Sequence, residues 1–323
     1  MSKSLENIYQ PPLSNEPPVI RKSVSKKGRK RKTFKPYFYL LPAILLLGIW
    51  MYQPLLSTFY LAFQKWSMVP GTTPEPVGLE NFIRLFNNKD FLISIENTIF
   101  YTIGLLPFSI IIPLLLAVST HGMTGKIKNV YRVIFFIPMI LAPVTVSAIW
   151  RWLFHPSNGL VNIFLLKTGL IDTNIAFFSD PRFAKWIILF MTGWSLIGFS
   201  TIMFSAALTS INKDYYEAAS LDGSSRFKRF IDITLPLLSP TIFFMLTMSM
   251  LFSSQFTFAY IDILTAGGPF GSSTNIYYEM YKYGFSNLNA GLSSAAAILF
   301  FFVFAIIALV LNYVSRKFAF YDN

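Results

Sequence analysis

Cysteine is absent from this chain of 323 residues, and histidine occurs only as His121 and His155. No disulfide, thiolate metal site or cysteine nucleophile can be built, and two isolated imidazoles do not make a zinc enzyme. Charge is scarce: Asp, Glu, Lys and Arg together make 13% of the residues, about half the share of an ordinary soluble domain. Acidic residues are the scarcer sign, 15 against 27 basic, for a formal net charge of +12. A Gly-x4-Gly-Lys-Ser/Thr phosphate loop is also missing. The one Gly-Lys pair, Gly125-Lys126, has Thr120 where the first glycine of that motif would stand. The ATPase chemistry of such a loop is therefore not expected here. No Asp or Glu sits centrally in a long apolar run, where an ion-driven transporter would place one. No catalytic and no metal-ligating residue is assigned.

What is present is apolar. Hydrophobic residues make 54% of the chain, aromatics 17%, and mean hydropathy is +0.51. That excludes a disordered chain. Six runs free of Asp, Glu, Lys and Arg reach 18 residues or more: 36–64, 97–125, 133–150, 186–212, 233–261 and 283–315. Each contains a stretch near the ~20 residues that cross ~30 Å of hydrocarbon. They lack the alternation of barrel strands, so the expected fold is an all-α integral membrane protein of six transmembrane helices. Pro42, Pro54, Pro107, Pro113, Pro138 and Pro143 fall inside three of the runs, which membrane helices tolerate.

Basic residues orient the spans. Ten lie in the first 35 positions, including the block Lys26 to Lys32, which places the N-terminus in the cytoplasm. Six spans return the C-terminus to the same side. Segments 126–132, 213–232 and 316–323 then hold nine basic residues in 35 positions, and 65–96, 151–185 and 262–282 hold eight in 88. The tail 1–35 is read as a disordered topology signal that touches anionic lipid, not as a nucleic-acid contact and not as a cleaved signal peptide. Trp50, Trp66, Trp150, Trp152 and Trp186 fit an interfacial belt. The external stretch 154–183 is long enough to dock another protein.

The segment 212–240 is the most informative. Asp214 and Glu217 suggest a capping box, Tyr215, Ala218, Ala219 and Leu221 continue a helix, and Asp222-Gly223 stops it. Ser224 or Ser225 can cap a second helix through Phe230, and Pro236 suits the first turn of the fifth span. The expectation is a helix–turn–helix along the cytoplasmic membrane surface.

Here the sequence resembles a family. Glu217-Ala218-Ala219, Gly223 and Ile233-x-Leu235-Pro236 stand at the spacing of the EAA loop of ABC importer membrane subunits, with Ser224 in place of the common alanine. Tyr131-Arg132 with Phe136-Ile137-Pro138, Trp150 with Leu153-Phe154, Gly159 with Asn162, and Thr265-Ala266-Gly267-Gly268-Pro269 resemble the sugar-type, maltose- and glycerol-phosphate-like permeases. The resemblance covers roughly 36–318, which it implies is a six-span permease domain, leaving 1–35 and a cytoplasmic end 319–323. The maltose-type subunit has extra N-terminal spans and a large external domain, absent here, so that domain's role does not transfer.

The resemblance implies a subunit of an ATP-driven sugar importer in a bacterial-type cell membrane, not an enzyme. Implied partners are a second permease subunit, two ATPase subunits that bind ATP and magnesium, and an external solute-binding protein. Glu217, Ala218, Ala219, Leu221, Asp222, Gly223 and Phe230 would couple to the ATPase. For the cargo path, polar or aromatic groups at membrane depth nominate Asn97, Trp194, Gln255, Tyr260 and Asp262, with Ser195 beside them. Each also has a plain structural reading as cap, core or interfacial anchor. A permease for a non-sugar solute and an ion-driven transporter are the alternatives.

Overall fold

The structure, a computed structural model, describes residues 35–123 and 126–319. The tail expected over 1–35 therefore lies, Lys35 aside, outside the described residues, as does most of the end 319–323. Two units are distinguished, Met1–Tyr52 and Gln53–Asn323. Of the first, the described part is α1 (Lys35–Leu47) and a π-helical turn, Gly48–Tyr52. Every side chain from Phe38 to Leu47 is exposed, as an apolar helix would be in lipid.

The second unit opens with α2 (Gln53–Leu61) and a two-stranded hairpin, β1 (Gln64–Lys65) antiparallel to β2 (Glu75–Pro76). Then come α3 (Glu80–Phe86), α4 (Lys89–Leu106), a π-turn at Pro107–Ile111 and α5 (Ile112–His121). The last three form one helix of 33 residues, Lys89–His121. Asn88 starts it, its side-chain oxygen accepting the Asp90 N–H at 2.9 Å. Pro107 has no N–H to give, so the ladder widens there rather than stopping. The helix begins eight residues before the uncharged run 97–125, so Lys89, Asp90 and Glu96 occupy its N-terminal part.

Next are α6 (Lys126–Ile140), α7 (Pro143–Leu153), α8 (Leu160–Lys167) and α9 (Ala184–Ser210). The 212–240 segment supplies α10 (Lys213–Leu221), α11 (Arg226–Arg229), a π-turn and α12 (Leu235–Leu237). α13 (Ser239–Leu264), α14 (Ile276–Tyr281), a π-turn at Lys282–Ser286 and α15 (Ala290–Phe318) complete the unit.

Five helices are long and apolar enough to cross a membrane: Phe38–Leu61, Lys89–His121, Ala184–Ser210, Ser239–Leu264 and Ala290–Phe318. The third expected span is not one helix. Val133–Ile140 and Pro143–Leu153 meet at 102°, and only as a pair do they bring the count to six. Proline disfavours helical backbone in the residue before it, and Ala142 is extended, φ −59° and ψ 135°. Two other boundaries move. The fifth span begins at Ser239 with Pro240 in its first turn, so Pro236 belongs to the short α12. The sixth begins at Ala290, because Leu288 takes φ +51° and Asn289 caps the helix on Leu292 N–H at 3.0 Å.

Three apolar clusters hold the unit together. Tyr101, Leu105, Val146, Ile188, Met191 and Ile261 join α4, α7, α9 and α13. Leu85, Phe91, Ile276, Tyr283 and Ala295 lie under the hairpin end. Leu114, Phe204, Leu208, Leu238 and Met245 lie beneath the 212–240 segment. α6 reaches α9 at Gly198, where an added Cβ would stand 2.3 Å from the Phe135 carbonyl oxygen. Small residues permit such backbone approaches between membrane helices.

Candidate functional site

The 212–240 segment is built from local caps. Asn212, not Asp214, is the N-cap of α10: its Oδ1 accepts the Asp214 N–H at 3.1 Å, and its Nδ2 donates to the Asp214 carboxylate at 3.1 Å. At the other end Gly223 takes φ +72°, a conformation costly for any residue with a Cβ. Its N–H reaches the Ser220 carbonyl at 3.1 Å, and the Ser224 N–H reaches that of Ala219 at 3.0 Å. This pair is the Schellman stop. Ser225 caps α11 through the Lys228 N–H at 3.2 Å. Tyr216 and Thr234 hydroxyls, 2.9 Å apart, tie the two arms.

The motif residues are thereby presented outward. Glu217, Ala218, Asp222 and Gly223 are exposed and Ala219 is half-buried. Leu221 is 90% exposed and Phe227 76%, apolar side chains left uncovered at the turn. Glu217 and Leu221 share a hollow of about 520 Å³ with Lys213, Tyr216, Ser220 and Arg229. Phe230 differs: it packs on the cluster of Leu114 and Leu238 and anchors the segment.

The path candidates separate in the same way. Asn97 is 4% exposed and donates to the Gly271 carbonyl at 3.0 Å. Tyr260 is 3% exposed, with its hydroxyl 2.9 Å from that of Ser195. Both are committed inside the protein. Trp194 is half-buried, edge-on to Trp150 at 6.0 Å. Gln255 and Asp262 are exposed on α13.

Sequence reasoning missed a second buried polar site. The stretch Thr265–Asn275 folds back across the ends of α4 and α13. Asn275 donates to the Ser254 carbonyl at 3.0 Å and the Thr257 hydroxyl at 2.7 Å, and caps α14 through the Tyr278 N–H at 2.7 Å. The Tyr101 hydroxyl donates to the Ser273 carbonyl at 2.9 Å, and Thr98 accepts the Ile276 N–H at 3.0 Å. Glu279, 2% exposed, accepts from Thr274 at 3.1 Å and pairs with Lys282 at 3.3 Å, while Lys282 also lies 3.8 Å from Asp90. Burial, then Glu279 and Asp90, push the Tyr283 phenol up. An asparagine ahead of the aromatic run 276–281 was the one available sign of α14.

In the 154–183 stretch, Asn162 is fully buried and exchanges both amide bonds with Ile175, at 2.9 and 3.1 Å, which folds that stretch on itself. Asp180 pairs with Arg182 at 2.7 Å, and the guanidinium holds that carboxyl below its ordinary value.

Residues 109–319 match the family described as "Binding-protein-dependent transport system inner membrane component". The chain belongs to this family. It is thus a multi-pass membrane permease component of a binding-protein-dependent transport system. The sn-glycerol-3-phosphate transport system permease protein UgpA of Pectobacterium atrosepticum is 31% identical over 288 residues, covering 89% of this chain and 96% of the relative. That of Salmonella typhimurium is 30% identical over 289 residues, covering 89% and 96%. Among solved structures, a bacterial ABC transporter involved in the import of the acidic polysaccharide alginate matches with TM-score 0.76 and 28% identity, over 88% of this permease and 96% of that chain. A bacterial alginate ABC transporter in complex with alginate pentasaccharide-bound periplasmic protein matches with TM-score 0.76 and 28% identity, over 88% and 95%.

Proposed function

We propose that this permease component imports a carbohydrate-type cargo as one of two membrane subunits in an ATP-driven assembly. Residues 36–318 form its permease part, with both termini in the cytoplasm. Two ATPase subunits bind ATP and magnesium, and an external solute-binding protein delivers the cargo. The carrying observation is the 212–240 segment: an exposed helix, stopped by Gly223, that presents Glu217, Ala218, Ala219 and Leu221 at the spacing of the coupling motif. α10 seats in a cleft of an ATPase subunit. Ala218 and Ala219 allow close approach, Leu221 fills an apolar notch, and Glu217 supplies a polar contact. Asp222 and Gly223 set the turn, and Phe230 transmits its motion to the core under α5 and α13. Moving the spans from 1:99 to 99:1 between two states takes about 5.5 kcal/mol of differential binding, which two ATP sites on the partners can supply.

The cargo class rests on the sugar-type motifs and on relatives whose own cargo is a glycerol phosphate or a polysaccharide. The experiment is a gentle-detergent pull-down of the tagged chain from its native membrane, with Gly223→Pro and Glu217→Lys beside wild type. An ATPase and a second permease subunit are expected with wild type, and loss of the ATPase from both variants, which remain inserted. Recovery of the chain alone, with uptake that follows an ion gradient, would sink the proposal.

A further inference from the structure

One turn after α13 goes against its own local chemistry. The Ser272 N–H reaches the Pro269 carbonyl at 2.9 Å, closing a turn whose central residues, Phe270 and Gly271, take φ +52° and +73°. A turn with positive φ at both central positions favours Asn, Asp or Gly at the first of them. Phenylalanine stands there instead, and positive φ is uncommon for a bulky side chain. The ring gains nothing inside the chain in return. Phe270 is 93% exposed, the most of any large apolar side chain among the described residues. The Tyr278 ring, beside Gly267, pairs with Phe258 and Tyr281 at 6.0 and 6.1 Å and not with Phe270.

The turn is nonetheless fixed from beneath. Asn97 of α4 donates to the Gly271 carbonyl at 3.0 Å, and the Thr274 N–H reaches the same carbonyl at 3.2 Å. The Ser273 hydroxyl donates to the Gly268 carbonyl at 2.7 Å, and the Ser273 carbonyl accepts from Tyr101 at 2.9 Å. Sparsely populated backbone conformations persist where the surroundings over-determine them, and they gather at functional sites. Aromatic side chains carry much of the binding energy of protein interfaces, and a preformed backbone spares the cost of ordering it on contact. A fluid lipid layer asks for no such fixed direction.

The side of the membrane names the partner. α13, Ser239–Leu264, is long enough to cross, so the 212–240 segment lies at one end of it and the Phe270 turn at the other. Where the first meets the ATPase subunits, the second faces the compartment of the binding protein on which this family depends. Resting on the importer reading, we infer that the Phe270 ring is an anchor for the solute-binding protein. It fills an apolar notch on that protein when the two dock, and the bonded backbone of 265–275 holds it ready.

The test places a photocrosslinker at the ring. Phe270→p-benzoylphenylalanine, in the full chain within its native transporter, is irradiated in intact cells, and the adduct is digested and sequenced. An adduct with the solute-binding protein is expected. An adduct with the second permease subunit or with phospholipid alone, or no adduct, overturns the inference and leaves the importer reading standing. An adduct with an ATPase subunit would place this turn on the ATPase side and overturn the importer reading with it. The protein so identified is then titrated onto the purified transporter in nanodiscs. Phe270→Gly removes the ring and suits the left-handed backbone, so its thermal midpoint is expected to be no lower than that of wild type. Its Kd is expected to rise at least about tenfold. Phe270→Tyr, which keeps a ring, is expected to stay within about threefold of wild type. An unchanged Kd for Phe270→Gly overturns the inference. A lowered midpoint together with the lost affinity would make the ring structural and overturn it as well.

Discussion

The segments 212–240 and 265–286 are both short helices between long spans, and they are held by opposite means. In the first, caps lie within five residues of what they bond: Asn212 to Asp214, Ser225 to Lys228, Ser224 back to Ala219. In the second, the bonds cross the sequence: Asn97 to Gly271, Tyr101 to Ser273, Asn275 to Ser254. The first leaves Leu221 and Phe227 exposed at its turn, and the second buries even a glutamate. The proposed lever carries its shape with it. The stretch that folds across the ends of α4 and α13 takes its shape from them.

The largest expected effect is on the lever. Gly223→Pro cannot keep the φ of +72°, because proline is fixed near −65°. Uptake is expected to vanish while the chain still fractionates with membranes, and normal uptake would show that the stop is not needed. On the other side, Asn275→Ala removes two buried donor bonds and a cap together. A loss of about 2–4 kcal/mol is expected, read as a lowered thermal midpoint in detergent. A shift no larger than that of Asn212→Ala would erase the contrast between the regions. Gly198→Ala, driven into the Phe135 carbonyl, should cost about 1–3 kcal/mol through overpacking and bears on neither region, which makes it a control for the core. Ser225→Ala should cost about 1 kcal/mol and weaken ATPase capture without unseating the chain. The smallest effect belongs to Asp180. Its carboxyl is lowered by Arg182, so the pair's contribution is present above the ordinary carboxylate range and fades as pH falls through the lowered value. Arg182 is exposed and its charge screened by solvent, so Arg182→Gln should leave thermal midpoints nearly unchanged at neutral pH. A large drop there would point to a wider network in the 154–183 stretch.

The same contrast explains what could be read beforehand. Gly223 as a helix stop and a serine at 224 or 225 as a cap follow from neighbours in sequence, and the motif spacing is visible without coordinates. Asn212 was passed over because Asp214 and Glu217 made an equally good local pattern three residues apart. Asn97 looked like a helix end, whereas its partner, Gly271, is 174 residues away. Glu279 falls between two uncharged runs, and hydropathy counts a carboxylate there as exposed unless its partners are known. The bend before Pro143 was signalled by the proline itself, but an uncharged run measures how far apolar chain extends and says nothing of its direction.

That bend bears on how the chain is made. The apolar parts on either side, Val133–Ile140 and Pro143–Leu153, are about 12 and 17 Å long, and each falls short of the bilayer. Neither has a hold of its own in the membrane when it leaves the ribosome. Its lasting neighbour is α9, through Gly198 and the Phe135 backbone, and α9 is synthesised some sixty residues later. Part of what holds the bend in place, α9, is therefore translated only after the bent pair itself.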